Sequence, residues 1–162
     1  MVTIYVWNFL GKDSNWGHAS LEIRNYYISW WPSQPHYNQS IVSSNIYEAH
    51  PILYRNFYDD MAGEGASVGD GSPLSPDHIV IINCLNEDAI IEWWQRFGIV
   101  DGYSGPPQAW ETTKMNCSTV VHKALQIGGG DKFASLWSSW NFVWTPNDVY
   151  QYALSIKESG NR

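Results

Sequence analysis

A chain of 162 residues is long enough for one domain with a sizeable core. Its net charge of −7, with nine scattered Lys and Arg, excludes nucleic acid as a default partner and disfavours an anionic membrane surface, because both demand clustered cations. Ten Trp, ten Tyr and a sparse set of charges speak against disorder.

Val2 to Phe9 is rich in β-branched and aromatic residues and reads as a strand. No cleavable h-region follows it and no apolar run is long enough to span a bilayer, so the chain is expected to be soluble and cytoplasmic when made, with export by a dedicated secretion system left open. Residues 11–17, G-K-D-S-N-W-G, form a loop by composition. His18 to Arg24 alternates like a half-buried strand, with Ala19, Leu21 and Ile23 on one face and His18, Ser20 and Glu22 on the other. A tight turn at Asn25 leads into a partner strand from Tyr26 to Trp31, which Pro32 ends.

From 33 to 77 the periodicity fades. Prolines at 35, 51, 73 and 76 and the Gly-rich stretch 63–71 mark a long insertion or loop, with short structure expected around Ile46 to Tyr58. So long a loop in a compact domain is usually functional or mobile, and two roles stand side by side: a cover for a cleft, or a plain surface excursion.

His78 to Cys84 reads as the strongest core strand. Asn86 caps a helix running to about Phe97, with Glu87 and Asp88 where carboxylates suit the helix dipole and Ile90, Trp93, Trp94 and Phe97 as its inner face. Residues 101–114 read as a loop around Pro106 and Pro107. A helix from Cys117 to about Ile127 stops at Gly128–Gly130, and a short aromatic helix from Asp131 to Trp140 is expected next. Thr145 and Pro146 open the last helix, whose inner face is Val149, Tyr152, Ala153 and Ile156 and whose tail frays from Glu158. Strands cluster early and helices late. The expectation is an α+β domain with an antiparallel sheet of strands 2–9, 18–24, 26–31 and 78–84, and helices 86–97 and 117–127 packed on it.

The chemistry centres on Met115 to Leu125, M-N-C-S-T-V-V-H-K-A-L. Asn116 caps the helix, and Val120, Val121, Ala124 and Leu125 supply its apolar face. Cys117 then lies at the positive end of the helix dipole among unpaired N–H groups, which favours thiolate and suits an oxyanion beside the sulfur. The competing reading is a small buried cysteine with no reactivity. His18, on a rigid strand, is the candidate base, since a cysteine nucleophile needs an imidazole and a third group to orient it. His122 lies on the Cys117 helix but rotated away from the sulfur, and reads as a packing or surface residue. His36, His50 and His78 lack paired ligand spacing, and neither H-E-x-x-H nor C-x-x-C occurs, so no metal or other cofactor is expected. The two cysteines, Cys84 and Cys117, are expected to stay reduced. Gly128–Gly130 follows a helix, which makes it a helix stop and not a phosphate loop.

G-H-A-S-L-E-I-R-N-Y-Y-I-S-W-W-P, followed much later by N-C-S-T-V-V-H-K-A-L and by the proline-capped T-P-N-D-V-Y-Q-Y-A, resembles the circularly permuted papain-like fold, the NlpC-like group that includes lecithin:retinol acyltransferase-type enzymes. The resemblance leaves 33–77 unmatched and implies a single papain-like domain over 1–162. It further implies Cys117 as nucleophile, His18 as base and an orienting polar residue on the following strand. That residue falls at Trp30, whose indole cannot accept a hydrogen bond, while its neighbour Ser29 is expected on the opposite strand face. Ser29 and Asn116 are the remaining orienting or oxyanion candidates. The implied function is a thiol hydrolase cleaving an amide or isopeptide bond of a peptide, peptidoglycan or protein substrate, as a secreted antibacterial or host-directed effector with an immunity or secretion partner. Acyl transfer by the same pair, or a non-catalytic binding module on the same fold, are the alternatives.

Overall fold

A computed structural model describes residues 1–8, 17–31, 55–69, 71–97, 99–100, 103–104, 115–134 and 141–161. Strands β1 (Val2–Trp7), β2 (His18–Ile23), β3 (Tyr26–Ile28) and β4 (His78–Ile82) form one sheet in the order β3-β2-β1-β4, antiparallel at every junction. The class is α+β, as the early strands and late helices suggest. The β2–β3 hairpin turns at Arg24 and Asn25, with Arg24 in the left-handed region at φ 51.

One sheet face is apolar throughout. Val2, Ile4, Val6, Ala19, Leu21, Ile23, Ile28, Val80 and Ile82 are buried there beneath α2 (Glu87–Phe97), α3 (Cys117–Ile127) and α4 (Pro146–Gly160). Helix α3 packs on β2, and α4 crosses β4 and β1. Asn86, Asn116 and Thr145 cap these helices as their side chains predict, each accepting a backbone N–H of the first turn. Helix α4 continues to Gly160, two residues beyond the expected fraying point at Glu158. Ile90 and Phe97 are buried on α2, with Trp93 and Trp94 partly buried beside them. Ile99–Val100 (β5) and Tyr103–Ser104 (β6) pair as a short separate ladder.

Three elements differ from the sequence reading. Strand β4 lies at the sheet edge, and Ile79 and Ile81 are 56% and 42% exposed, so its continuous apolar run does not mean burial on both faces. The Gly-rich stretch is helical: α1 (Phe57–Val68) runs through Gly63 and Gly65 and ends at Gly69 in the left-handed region at φ 88. An Asn56–Asp59 capping box starts it, and tertiary contacts override the low helix propensity of glycine. After α3, a three-residue 3₁₀ turn (Gly130–Lys132) replaces the start of the expected aromatic helix; residues 135–140 lie outside the described residues. So do most of the 11–17 and 101–114 loops, residues 46–54, His36 and His50.

Helix α1 does not join the apolar core. It lies by the opposite, polar sheet face, where Phe57 meets the rings of Tyr5 and Trp7 at 4.6 and 6.2 Å between centroids. Its buried residues are Asp60, Glu64 and Gly65; no apolar side chain of the helix is buried. Close approach requires its glycines. A Cβ on Gly65 would lie 1.7 Å from the Ser72 carbonyl oxygen, and one on Gly63 would lie 2.9 Å from the Trp31 ring.

Candidate active site

The period-two alternation of β2 and β3 builds one wall of the site. With Glu22 opposite Tyr27, the residues His18, Ser20 and Glu22 share the polar face with Tyr27, Ser29 and Trp31. Trp30 points the other way, fully buried in the core against Phe97 at 5.6 Å between ring centroids. Ser29 therefore faces His18, because His18 itself is on that side. The expected register at Trp30 is displaced by one residue.

His18 is 2% exposed. Its Nε2 lies 3.0 Å from Asp60 Oδ2 and 3.0 Å from Ser29 Oγ. Ser29 passes its own proton to Asp60 Oδ1 at 2.9 Å, so the imidazole Nε2–H is shared between the two oxygens. Nδ1 is then the ring nitrogen that neither Asp60 nor Ser29 engages, and Cys117 is near enough for its charge to raise the His18 pKa. The ring is flanked by Trp31 at 4.6 Å and Trp7 at 5.7 Å between centroids.

Asp60, from α1, is the residue the sequence did not disclose. It is fully buried and accepts five hydrogen bonds: from His18 and Tyr27 on Oδ2, and from Ser29, Trp31 and Arg55 on Oδ1, all between 2.7 and 3.0 Å. Since the Tyr27 hydroxyl proton goes to Asp60, Ser20 donates to Tyr27 at 2.7 Å. Arg55 reaches Asp60 through Nε at 2.9 Å, donates from Nη2 to the Asp59 carbonyl and stacks 4.4 Å above the Trp31 ring. Two signals pointed this way: the N-x-x-D capping box at Asn56, and three hydrogen-bonding side chains on one strand face at Tyr27, Ser29 and Trp31.

The electrostatics follow from this packing. Burial disfavours charge on His18, but Asp60, and after it Cys117, outweigh that cost and raise the imidazole pKa to about 10. Burial likewise pushes the Asp60 carboxyl up, yet the His18 charge and the hydrogen bonds from His18, Tyr27 and Ser29 hold it well below the usual carboxylate range. Glu64, one helical turn beyond Asp60, is 3% exposed, and its Oε2 has no hydrogen-bond partner. Desolvation raises its pKa to about 7, so it carries its proton through much of the acidic range.

Cys117 is 8% exposed at the first position of α3, and both cysteines are free. The Asn116 amide is engaged at both ends: Oδ1 accepts from Thr119 N at 2.9 Å, and Nδ2 donates to the Trp144 carbonyl at 3.1 Å. His122 is buried, stacked on Trp144 at 3.4 Å between ring centroids, and is a packing residue. His78 stacks on Tyr150 at 3.9 Å. Among the described residues, no group of three or more His, Cys, Asp or Glu is disposed to hold a metal ion, and no helix is long and apolar enough to cross a membrane.

Fold and site together define an α+β protein with a buried histidine–aspartate pair at one sheet face and a buried cysteine at a helix start. Residues 78–162, more than half the chain, match the family model of the IcsB middle domain. The chain belongs to that family. The match spans β4 and helices α2, α3 and α4, and so contains Cys117; His18 and Asp60 lie before it. No curated protein and no solved structure matches the chain.

Proposed function

We propose that this protein is a thiol enzyme of papain-like type that cleaves an amide or isopeptide bond through an acyl-enzyme on Cys117. One observation carries the reading: the buried His18 ring holds the Asp60 carboxylate on Nε2 and leaves Nδ1 free of both Asp60 and Ser29, with Cys117 near enough to raise the imidazole pKa. This is the arrangement a nucleophile, base and orienting acid require. The Cys117 thiolate attacks the substrate carbonyl, and protonated His18 gives its proton to the leaving amine. Neutral His18 then takes a proton from water, the hydroxide adds to the thioester, and the carboxylic acid departs as the thiol is regenerated. Asp60 holds the ring and balances the imidazolium. The backbone N–H groups of Cys117 and Ser118, at the open end of α3, are where the oxyanion would be met.

Asp60 supplies a third polar residue on His18, which supports a thiol enzyme over a non-catalytic binding module. Membership of the IcsB middle-domain family is compatible with an effector role, delivered to a protein or peptidoglycan target. The test is intact-protein mass spectrometry after exposure to p-nitrophenyl esters and to isopeptide-linked peptides. Wild type is expected to gain one acyl mass, lost again to water, while Cys117→Ala and His18→Ala gain none. Passage of the acyl group to an added amine in preference to water would make the protein an acyltransferase. Unchanged turnover by folded Cys117→Ala would end the proposal.

A further inference from the structure

Glu64 is the one buried acid of the site that the proposed chemistry does not use. It projects from the same face of α1 as Asp60, one turn on, and its Oε2 lies unpartnered in a region closed to water. An orphaned carboxyl oxygen at nine-tenths burial is a cost that a structural role alone does not explain. The charged groups facing it are Asp60 on its own helix, Arg55 just before that helix, His18 on β2 and Asp77 before β4. Both cations in that set already hydrogen-bond to Asp60. Nor does α1 have a buried apolar side chain to hold it if this polar arrangement is disturbed.

We propose that Glu64 is a positioning residue whose charge state governs how firmly α1 holds Asp60 on His18. Protonated, it is a neutral neighbour, and Asp60 keeps both His18 and Arg55. Ionised, it becomes a second buried carboxylate one turn away and competes for the same two cations. Its repulsion with Asp60 is weakly screened in so buried a place, and the Asp60–His18 contact loosens. The expected ionisation lies near neutral pH, since burial raises the Glu64 pKa to about 7. Its effect on activity rests on the proposed thiol chemistry; its effect on stability does not.

The test compares wild type with Glu64→Gln and Glu64→Met, the second covering the case in which a buried amide fits poorly. Thermal melts are run from pH 5 to 8.5, alongside NMR titration of the His18 ring and of ¹³C-labelled glutamate carboxyls. In at least one variant the gain in Tm over wild type is expected to grow as pH rises from 5 to about 7 and to level off above it. The His18 resonances of wild type should show an inflection near the same pH that both variants lack. Thiol turnover of wild type should lose a basic limb there that the variants keep. A Glu64 carboxyl titrating below pH 5, or wild-type and variant melts that stay parallel across the range, would overturn the proposal. If melts and NMR behave as expected while folded Cys117→Ala keeps full activity, the catalytic reading falls and the Glu64 switch stands.

Discussion

Asp60 shows how much one side chain can carry. Five donors converge on a carboxylate with no exposed surface, and two of them, Arg55 and His18, bring positive charge. Asp60→Asn would replace an acceptor-only group with one that also donates, leaving Arg55 facing an amide. We expect a stability loss of about 3–5 kcal/mol in urea melts, the usual cost of stranding one member of a buried pair. Activity should fall about 10⁴-fold, as when an orienting aspartate becomes an amide in a catalytic triad. The His18 pKa should drop from about 10 towards or below 6.5, because burial would then act without the largest opposing charge. The sign for stability follows. A histidine whose folded pKa exceeds its unfolded value stabilises fully below about pH 6.5 and loses that contribution as pH rises through about 10. Wild type should therefore weaken between pH 8 and 10.5 by a margin that His18→Ala lacks, which denaturant melts at those pH values will measure.

Among the elements, α1 and α3 present opposite cases. Helix α3 was legible because its cap, apolar spacing and glycine stop agree, and its burial follows that pattern. Asn116→Ala should cost about 1 kcal/mol for the lost cap, and somewhat more because the Trp144 carbonyl loses its partner. Helix α1 was illegible for a physical reason. Its inner face carries Asp60, Glu64 and Gly65, so no apolar periodicity marks it, and Gly63 and Gly65 imitate a loop. Those glycines are present because Trp31, Arg55 and the Ser72 backbone come too close for a side chain. Gly65→Ala should displace α1 from the sheet, with faster proteolysis within 55–69 and loss of thiol activity, while circular dichroism of the rest changes little. The strands were legible for the converse reason: alternation at β2 placed His18 opposite Ala19, Leu21 and Ile23. It did not reveal whether Ser29 or Trp30 would share the His18 side, since that depends on hairpin register and not on composition.

At the scale of the whole molecule, two buried titrations oppose each other. Burial lowers the His122 pKa to about 4, so the neutral ring stabilises above its unfolded value near 6.5 and that contribution is lost as pH falls through about 4. Glu64 runs the other way: its folded value near 7 exceeds the unfolded 4.5, so stability declines as pH rises between them. The windows overlap, and the wild-type Tm should be nearly level from about pH 4.5 to 6.5. His122→Phe, which keeps a ring on Trp144, should unmask a decline with rising pH. Glu64→Gln should unmask a rise. Melts at half-unit pH intervals on the three proteins will show whether the level profile conceals two slopes.

The sheet order has a consequence for how the molecule is made. Strand β1 lies inside the sheet, yet one of its two neighbours, β4, comes from the far side of the 33–77 stretch. On the ribosome, the β1–β2–β3 meander emerges first, with one edge of β1 unpaired and Ile4, Val6 and Leu21 bare of the helices that later cover them. Asp60 leaves the exit tunnel next and can close on His18 while the sulfur is still unsynthesised. In order of synthesis, the base and its carboxylate thus precede the nucleophile, and any nascent chain ending before residue 117 holds both without the Cys117 thiol.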